Sequence, residues 1–393
     1  MLKRYWRGLP WDGLGWSGDP EPTLMGMRAW AAAEWRRTQP MVLRHGLWLA
    51  DRTVWPLAAA VRSAGFARAL GLDAAATRRL LGDCLLTGAA PLEAHVWRSL
   101  HGGRHPLPAR IAGLLLTRLG DPAGHALLAD KLATADRLAP AGAAFPAMRA
   151  VYRRGEPIGP LPSAADGGLF VKPRHGHGGR GAFALIRIGD GWHTDGRSLP
   201  EPALRERLQR LSRQDDLLLQ ERLAAAPGLE DLAADGRAPV LRLATARTPG
   251  EPPFLHSALL TMAVPGRDPR HFLSGAVHAP VDPADGRLAP GLTLSAPGDR
   301  LSRLPWNAAP LAGRCVPGFA AAAAMALRAL AALPPLPLVH WDVIPTAAGP
   351  VMLEGNSAGN WILATLPGAY GLDAGPLAPL LARWMPPGAA ARR

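Results

Sequence analysis

Between Leu169 and Val281 the apolar, β-prone segments follow one another with a single helix among them. "LFVKP", "AFALIRI", "LLLQERL", "PVLRLATART", "PFLHSALLTMAV" and "FLSGAVHAPVD" read as strands, bounded by Gly, Pro and Asp clusters. The helix is "SLPEPALRERLQRLS", where Ser198 and Glu201 form a capping-box pattern with proline in the first turn. An Ala-rich helix near 318–333, the strands "PLVHWDVIP" and "GPVMLEGN", and a helix near "GPLAPLLARWM" complete the chain. Strands and helices mix without a regular βαβ repeat, which argues for an α+β fold.

The first part differs. Residues 1 to about 117 read as helical, from "TLMGMRAWAAAEWRR" and "ATRRLLGDCLLTG" with their three- and four-residue apolar spacing. Seven of the 13 tryptophans precede residue 56. Arg44, Trp48, Arg52 and Trp55 would share one helical side. That side suits a membrane surface or partner, but a Trp-packed core with arginine stems over it is the plainer reading. A helix over "HALLADKLATADRLAPAG" then leads into the strands.

The net charge of +13 attracts phosphate, nucleic acid or anionic lipid without choosing among them. Two distant cysteines, Cys84 and Cys315, suggest neither a disulfide framework nor a zinc site. The basic N-terminus lacks an apolar leader core, and no window of about 18 residues is free of charge or proline. The expectation is a soluble, cytoplasmic protein without a transmembrane segment, with room for peripheral membrane contact and no nucleic-acid module.

Four stretches carry chemistry. In "FVKPRHGHGGRGAFALIRI" a glycine loop follows Lys172; backbone N–H groups can turn inward there and welcome phosphate oxygens. Arg174, His175, His177 and Arg180 could add donors. The loop is neither a Walker loop nor a Rossmann fingerprint, since a strand follows it. In "HWDVIPTAAGPVMLEGN", Glu354 and Asn356 alternate onto one face of a strand and Asp342 faces them from the neighbouring one. Two carboxylates and an amide oxygen are hard ligands suited to Mg²⁺; pairing with arginines is the competing reading. "LLLQERL" ends in Gln220 and Glu221, where the chain would cross between lobes and could hold adenine and ribose. In "VLRLATART" Arg242 interrupts an apolar strand and would steady a phosphate, or pair with an acid.

In this order, "VKPRHGHGGRG", "LQER", "VLRLAT", "HWDVIP" and "LEGN" resemble the ATP-grasp superfamily, nearest its sugar-transfer associated, glutamate-ligase-like branch. "ADKLATADRLAPAGAAFP" resembles the superfamily's first lysine segment, and "FLSGAVHAPVDPADGRL" the branch's Ser-Gly region. The resemblance covers about 118–365. It departs where His340 replaces a glycine, where "APV" precedes the arginine strand without an Asn, and at Ala276.

The resemblance implies a two-lobed ATP-grasp fold with an N-terminal mainly helical accessory domain over 1–117. The ATP-grasp domain would span 118–393, with a glycine-loop lobe about 166–225 and a metal lobe about 226–393. It implies ATP and Mg²⁺. Lys131 and Lys172 would hold phosphates under a loop containing Gly178, Gly179 and Gly181, while Gln220 and Glu221 hold adenosine. Asp342, Glu354 and Asn356 would bind metal, and Arg242 would act with Lys172 at the transferred phosphoryl. The implied activity is a ligase. It would activate a small-molecule or peptide carboxylate as an acyl phosphate and join it to an amine or other nucleophilic co-substrate. An ATP-grasp kinase, or a decayed ATP-grasp protein binding through a basic, Trp-rich surface, are the rivals. Alanine at Asp342 or Glu354 should abolish ATP turnover and leave the fold intact.

Overall fold

The computed structural model describes residues 40–101, 108–159, 168–176, 179–189, 191–194, 197–268, 274–358 and 377–386, with Leu366 and scattered positions between 27 and 37. Gly178, His177 and most of the Trp-rich N-terminus lie outside these residues, as do the side chains of Arg44, Trp48 and Arg52. Trp55 is described, and it is buried, as the core reading expects.

Every named strand pair is antiparallel. The first sheet takes β1 (Met148–Arg153), β2 (Glu156–Ile158), β3 (Leu169–Pro173), β4 (Phe183–Ile188), β5 (Gly191–Thr194), β6 (Arg197–Leu199) and β7 (Leu217–Glu221) in the order β2-β1-β7-β3-β4-β5-β6. One face, with Leu169, Val171, Leu217 and Leu219, packs on the helix Glu201–Ser212 through Leu204 and Leu208. The capping box is not realised. Arg197–Leu199 pairs as β6, Pro200 takes the cap position, and no side chain caps the helix.

The second sheet orders β8 (Val240–Ala246), β9 (Phe254–Ala263), β10 (Ala276–Val281), β11 (Leu338–Thr346) and β12 (Gly349–Asn356) as β10-β9-β8-β11-β12. Alternation sends Leu241, Leu243, Leu260, Val277, Ala279, Val339, Trp341 and Val343 to the face covered by the Ala-rich helix Phe319–Ala332. Arg242, Thr261, His278, His340, Asp342 and Glu354 therefore occupy the other face.

The N-terminal helices pack on that other face. They are α1 (Met41–Leu70), α2 (Ala74–Thr87), α3 (Pro91–His101) and α4 (Ala109–Arg118). Trp55, Cys84, Ala94 and Trp97 form one cluster with Leu259, Leu292 and Leu294. Ile111, Leu115 and Leu119 form another with Ala244, Ala246 and Leu338. Cys84 is buried in this layer, and loss of solvation pushes its thiol up to about 12, whereas Cys315 is exposed. A disulfide-exchange reagent should therefore titrate one thiol in the native chain and both after denaturation; two fast native thiols would contradict this packing.

The single helix expected over "HALLADKLATADRLAPAG" is two, α5 (Pro122–Ala129) and α6 (Lys131–Leu138). Asp130 breaks them in an extended conformation and caps α6, accepting from the N–H groups of Leu132 and Ala133. Arg174 donates to the same carboxylate through Nε and Nη2, at 2.8 and 2.6 Å. Among the described residues, no helix is long and apolar enough to cross a membrane.

Candidate functional site

Lys131 is the first residue of α6, so the break at Asp130 aims its side chain out of the helix end. Its ammonium donates to the Gly176 carbonyl of the glycine loop at 2.5 Å and lies 3.6 Å from Glu354 Oε2. Lys172, on β3, reaches across to the second sheet and donates to the Leu353 carbonyl at 3.0 Å. Lys131 from α6 and Lys172 from β3 thus meet the end of β12 that carries Glu354. Lys172 is buried; loss of solvation pulls its pKa down to about 8, Glu354 and Asp342 oppose this, and Lys131 adds to it.

On the second sheet Asp342 sits opposite Glu354 on one side and opposite Arg242 on the other. Arg242 grips Asp342 in a two-point pair, Nε to Oδ1 at 2.7 Å and Nη2 to Oδ2 at 2.8 Å. Burial weakens the guanidinium's charge, but Asp342 more than offsets it and raises the pKa above its ordinary value. The competing reading of Arg242, an arginine paired with an acid, is therefore realised. Asn356 donates to Glu354 Oε1 at 3.3 Å. Gly355, between them, is covered by Trp341: a Cβ there would lie 2.5 Å from the indole ring. The "EGN" glycine is thus a packing requirement that lays β12 flat on β11.

The donor set fits a hard cation. Two carboxylates and an amide oxygen on adjacent strands suit Mg²⁺ that keeps part of its water. No group of three or more His, Cys, Asp or Glu side chains among the described residues is placed to hold a metal.

The glycine loop needs its glycines: Gly179 and Gly181 have φ of 69° and 74°. Two of its other residues that the sequence suggested as phosphate donors pair with acids. Arg174 is committed to Asp130 and, through Nη1, to Asp216 at 3.2 Å. The backbone N–H of His175 donates to Asp215, whose other oxygen lies 2.8 Å from its ring Nδ1. Acids at the loop's base consume both, because the antiparallel neighbour β7 starts there. Glu221 likewise accepts from Ala147 N–H at 2.9 Å and pairs with Arg149, which orients it at the strand end.

The Arg174 pair holds the Asp130 carboxyl well down, at about 2. A depressed folded-state pKa stabilises above the unfolded value, about 3.9, and that stability fades as pH falls towards 2. Asp130→Ala should cost about 2 kcal/mol at neutral pH. Urea midpoints at falling pH check it: the gap to the native chain should shrink below about pH 4.

Sequence reasoning passed over two further residues. Phe170 lies two residues before Lys172 and so shares its face, and Met148 and Phe170 flank Gln220 across β1-β7-β3. Both are unusually exposed for large apolar side chains, 37% and 39%. With Gln220 they make an apolar ledge beside the lysines, of the kind a purine ring can cover. The signal was present, an aromatic at an alternate position in "LFVKP".

The family model for sugar-transfer associated ATP-grasp proteins matches residues 115–374. The chain belongs to the sugar-transfer associated ATP-grasp family. This ATP-grasp protein is also similar in fold to solved ligases. One is D-alanine–D-alanine ligase from Bacillus anthracis complexed with ATP, at 11% identity and TM-score 0.37 over 62% of this chain and 59% of the ligase. Another is VanG D-Ala:D-Ser ligase from Enterococcus faecalis, at 12% identity and TM-score 0.41 over 67% and 63%. A third is L-amino acid ligase from Bacillus licheniformis, at 11% identity and TM-score 0.36 over 68% and 52%. The ATP-grasp chain thus matches less than two thirds of each of these proteins. No curated protein matches it.

Proposed function

We propose that this ATP-grasp protein is an ATP- and Mg²⁺-dependent ligase that joins a carboxylate to an amine or other nucleophile. The observation that carries this reading is the meeting of Lys131, Lys172 and the Gly176 carbonyl with the Glu354 end of β12. Lys131 and Lys172 bind the substrate's phosphates, and the glycine loop around Gly179 and Gly181 folds over them and excludes water. Gln220 and Glu221 hold adenosine on the Phe170–Met148 ledge. Asp342, Glu354 and Asn356 would hold Mg²⁺, whose chemistry is to neutralise charge on the β- and γ-phosphates. Arg242, drawn towards Asp342, stays beside the acids and steadies the transferred phosphoryl group.

The carboxylate substrate is a small molecule, an amino acid or a short peptide, since the family membership is compatible with ligation and the site offers charge neutralisation more than acid–base groups. The test is an ATP-consumption screen of the full chain with carboxylates and amines offered in pairs, read by mass spectrometry. Free phosphate and a new carboxylate–amine product support a ligase. Phosphate retained on the acceptor would overturn the reading in favour of a kinase.

A further inference from the structure

The sheet face that carries Arg242, Asp342 and Glu354 continues under the N-terminal helices, and there its residues change character. One row further across β9 and β10, Thr261 stands opposite His278, and on the far side of Arg242 Ser257 and His340 follow. His278, His340 and Ser257 are buried, at 2%, 1% and 4% exposure, whereas Thr261 is only partly covered. The row thus opens to the surroundings at Thr261 and ends inside at His278. Leu292 and Leu294, which the Trp55–Trp97 cluster of the helical layer covers, run beside β10, and His278 N–H donates to the Leu292 carbonyl at 2.9 Å.

His278 Nδ1 is hydrogen-bonded to Thr261 Oγ1 at 3.1 Å, which fixes the ring. Its Nε2 is buried and has no hydrogen-bond partner among the described residues. An interior polar atom left unpaired destabilises the folded chain, so such an atom beside a binding face calls for a ligand. We propose that His278 is a specificity-determining residue of the acceptor pocket, its Nε2 hydrogen-bonding a neutral hydroxyl or amide group of the nucleophilic substrate. The proposal rests on the ligase reading and deepens it.

The chemistry of the row selects a neutral group. Burial, and then the charge of Arg242, push the His278 imidazole down to about 3, so it is uncharged at neutral pH. Arg242 spends its charge on Asp342. A carboxylate would therefore gain little here, while a hydroxyl or amide would satisfy the orphaned nitrogen. The helical layer, by covering β9 and β10, shapes this pocket and ties acceptor choice to the N-terminal region.

The experiment uses the full chain, Mg·ATP and a panel of L- and D-amino acids as carboxylates, with two kinds of nucleophile. Hydroxylamine intercepts an activated carboxylate as a hydroxamate without needing acceptor contacts; the same amino acids serve as natural-type amines. For the amine that the native chain accepts, His278→Leu should lower kcat/KM at least about 100-fold, while hydroxamate formation and the Mg·ATP-induced rise in melting temperature stay near native. His278→Gln, which keeps a hydrogen-bonding group, should recover most of the loss. Thr261→Val, which frees the ring, should show a smaller loss of the same kind and serves if His278→Leu does not fold. Unchanged amine kinetics, an equal loss with hydroxylamine, or a glutamine variant no better than leucine would each overturn the role of His278 alone. A native chain that yields neither hydroxamate nor amide with any carboxylate would instead overturn the ligase reading, and this proposal with it.

Discussion

Glu354→Ala is expected to lower Mg²⁺-dependent ATP turnover at least about 100-fold and to remove the melting-temperature rise that Mg·ATP gives the native chain. Its own melting temperature should hardly move. The side chain is a quarter exposed, and its contacts are Lys131 at 3.6 Å and the Asn356 amide. Partly exposed ion pairs of this length contribute roughly 0–1 kcal/mol. Turnover near the native rate would remove Glu354 from the metal set.

Asp342→Ala should behave differently, and here the structure revises the expectation that the fold stays intact. Asp342 is the partner of Arg242, whose side chain is only about a fifth exposed. Removing the acid leaves that charge uncompensated, at a cost of about 3 kcal/mol, with turnover lost as well. Urea denaturation reads the first effect. A double variant, Asp342→Ala with Arg242→Leu, should regain most of the stability and none of the activity, because the buried charge is gone and the metal ligand is still missing. An Asp342→Ala chain as stable as the native one would show that Arg242 finds another partner.

The strands were legible because their signals are local. Alternation in "VLRLATART" and the apolar run in "HWDVIP" each fix which residues share a face, and that alone places Arg242, Asp342 and Glu354 together once the strands pair. The order of motifs supplied the pairing. What stayed hidden depends on contacts distant in sequence. Helix propensity runs unbroken through "HALLADKLATADRL", and only Arg174, 44 residues on, shows why Asp130 stops it. The Asp215 and Asp216 side chains that consume His175 and Arg174 come from the far end of a helix and a turn. Ser198 carries a cap signature, but strand pairing with β5 outcompetes it. The covering of the site's face by the Trp-rich helices could not be read from either segment, since it joins Trp97 to Leu259 and Leu292.

The central claim is spatial: Lys131, Lys172, the glycine loop, Asp342, Glu354 and Asn356 surround one triphosphate. A crystal structure of the chain with Mg²⁺ and a non-hydrolysable ATP analogue tests it most directly. The account predicts phosphates between the two lysines, with metal on the two acids and Asn356. A nucleotide bound elsewhere, or a metal held away from Glu354, would contradict it.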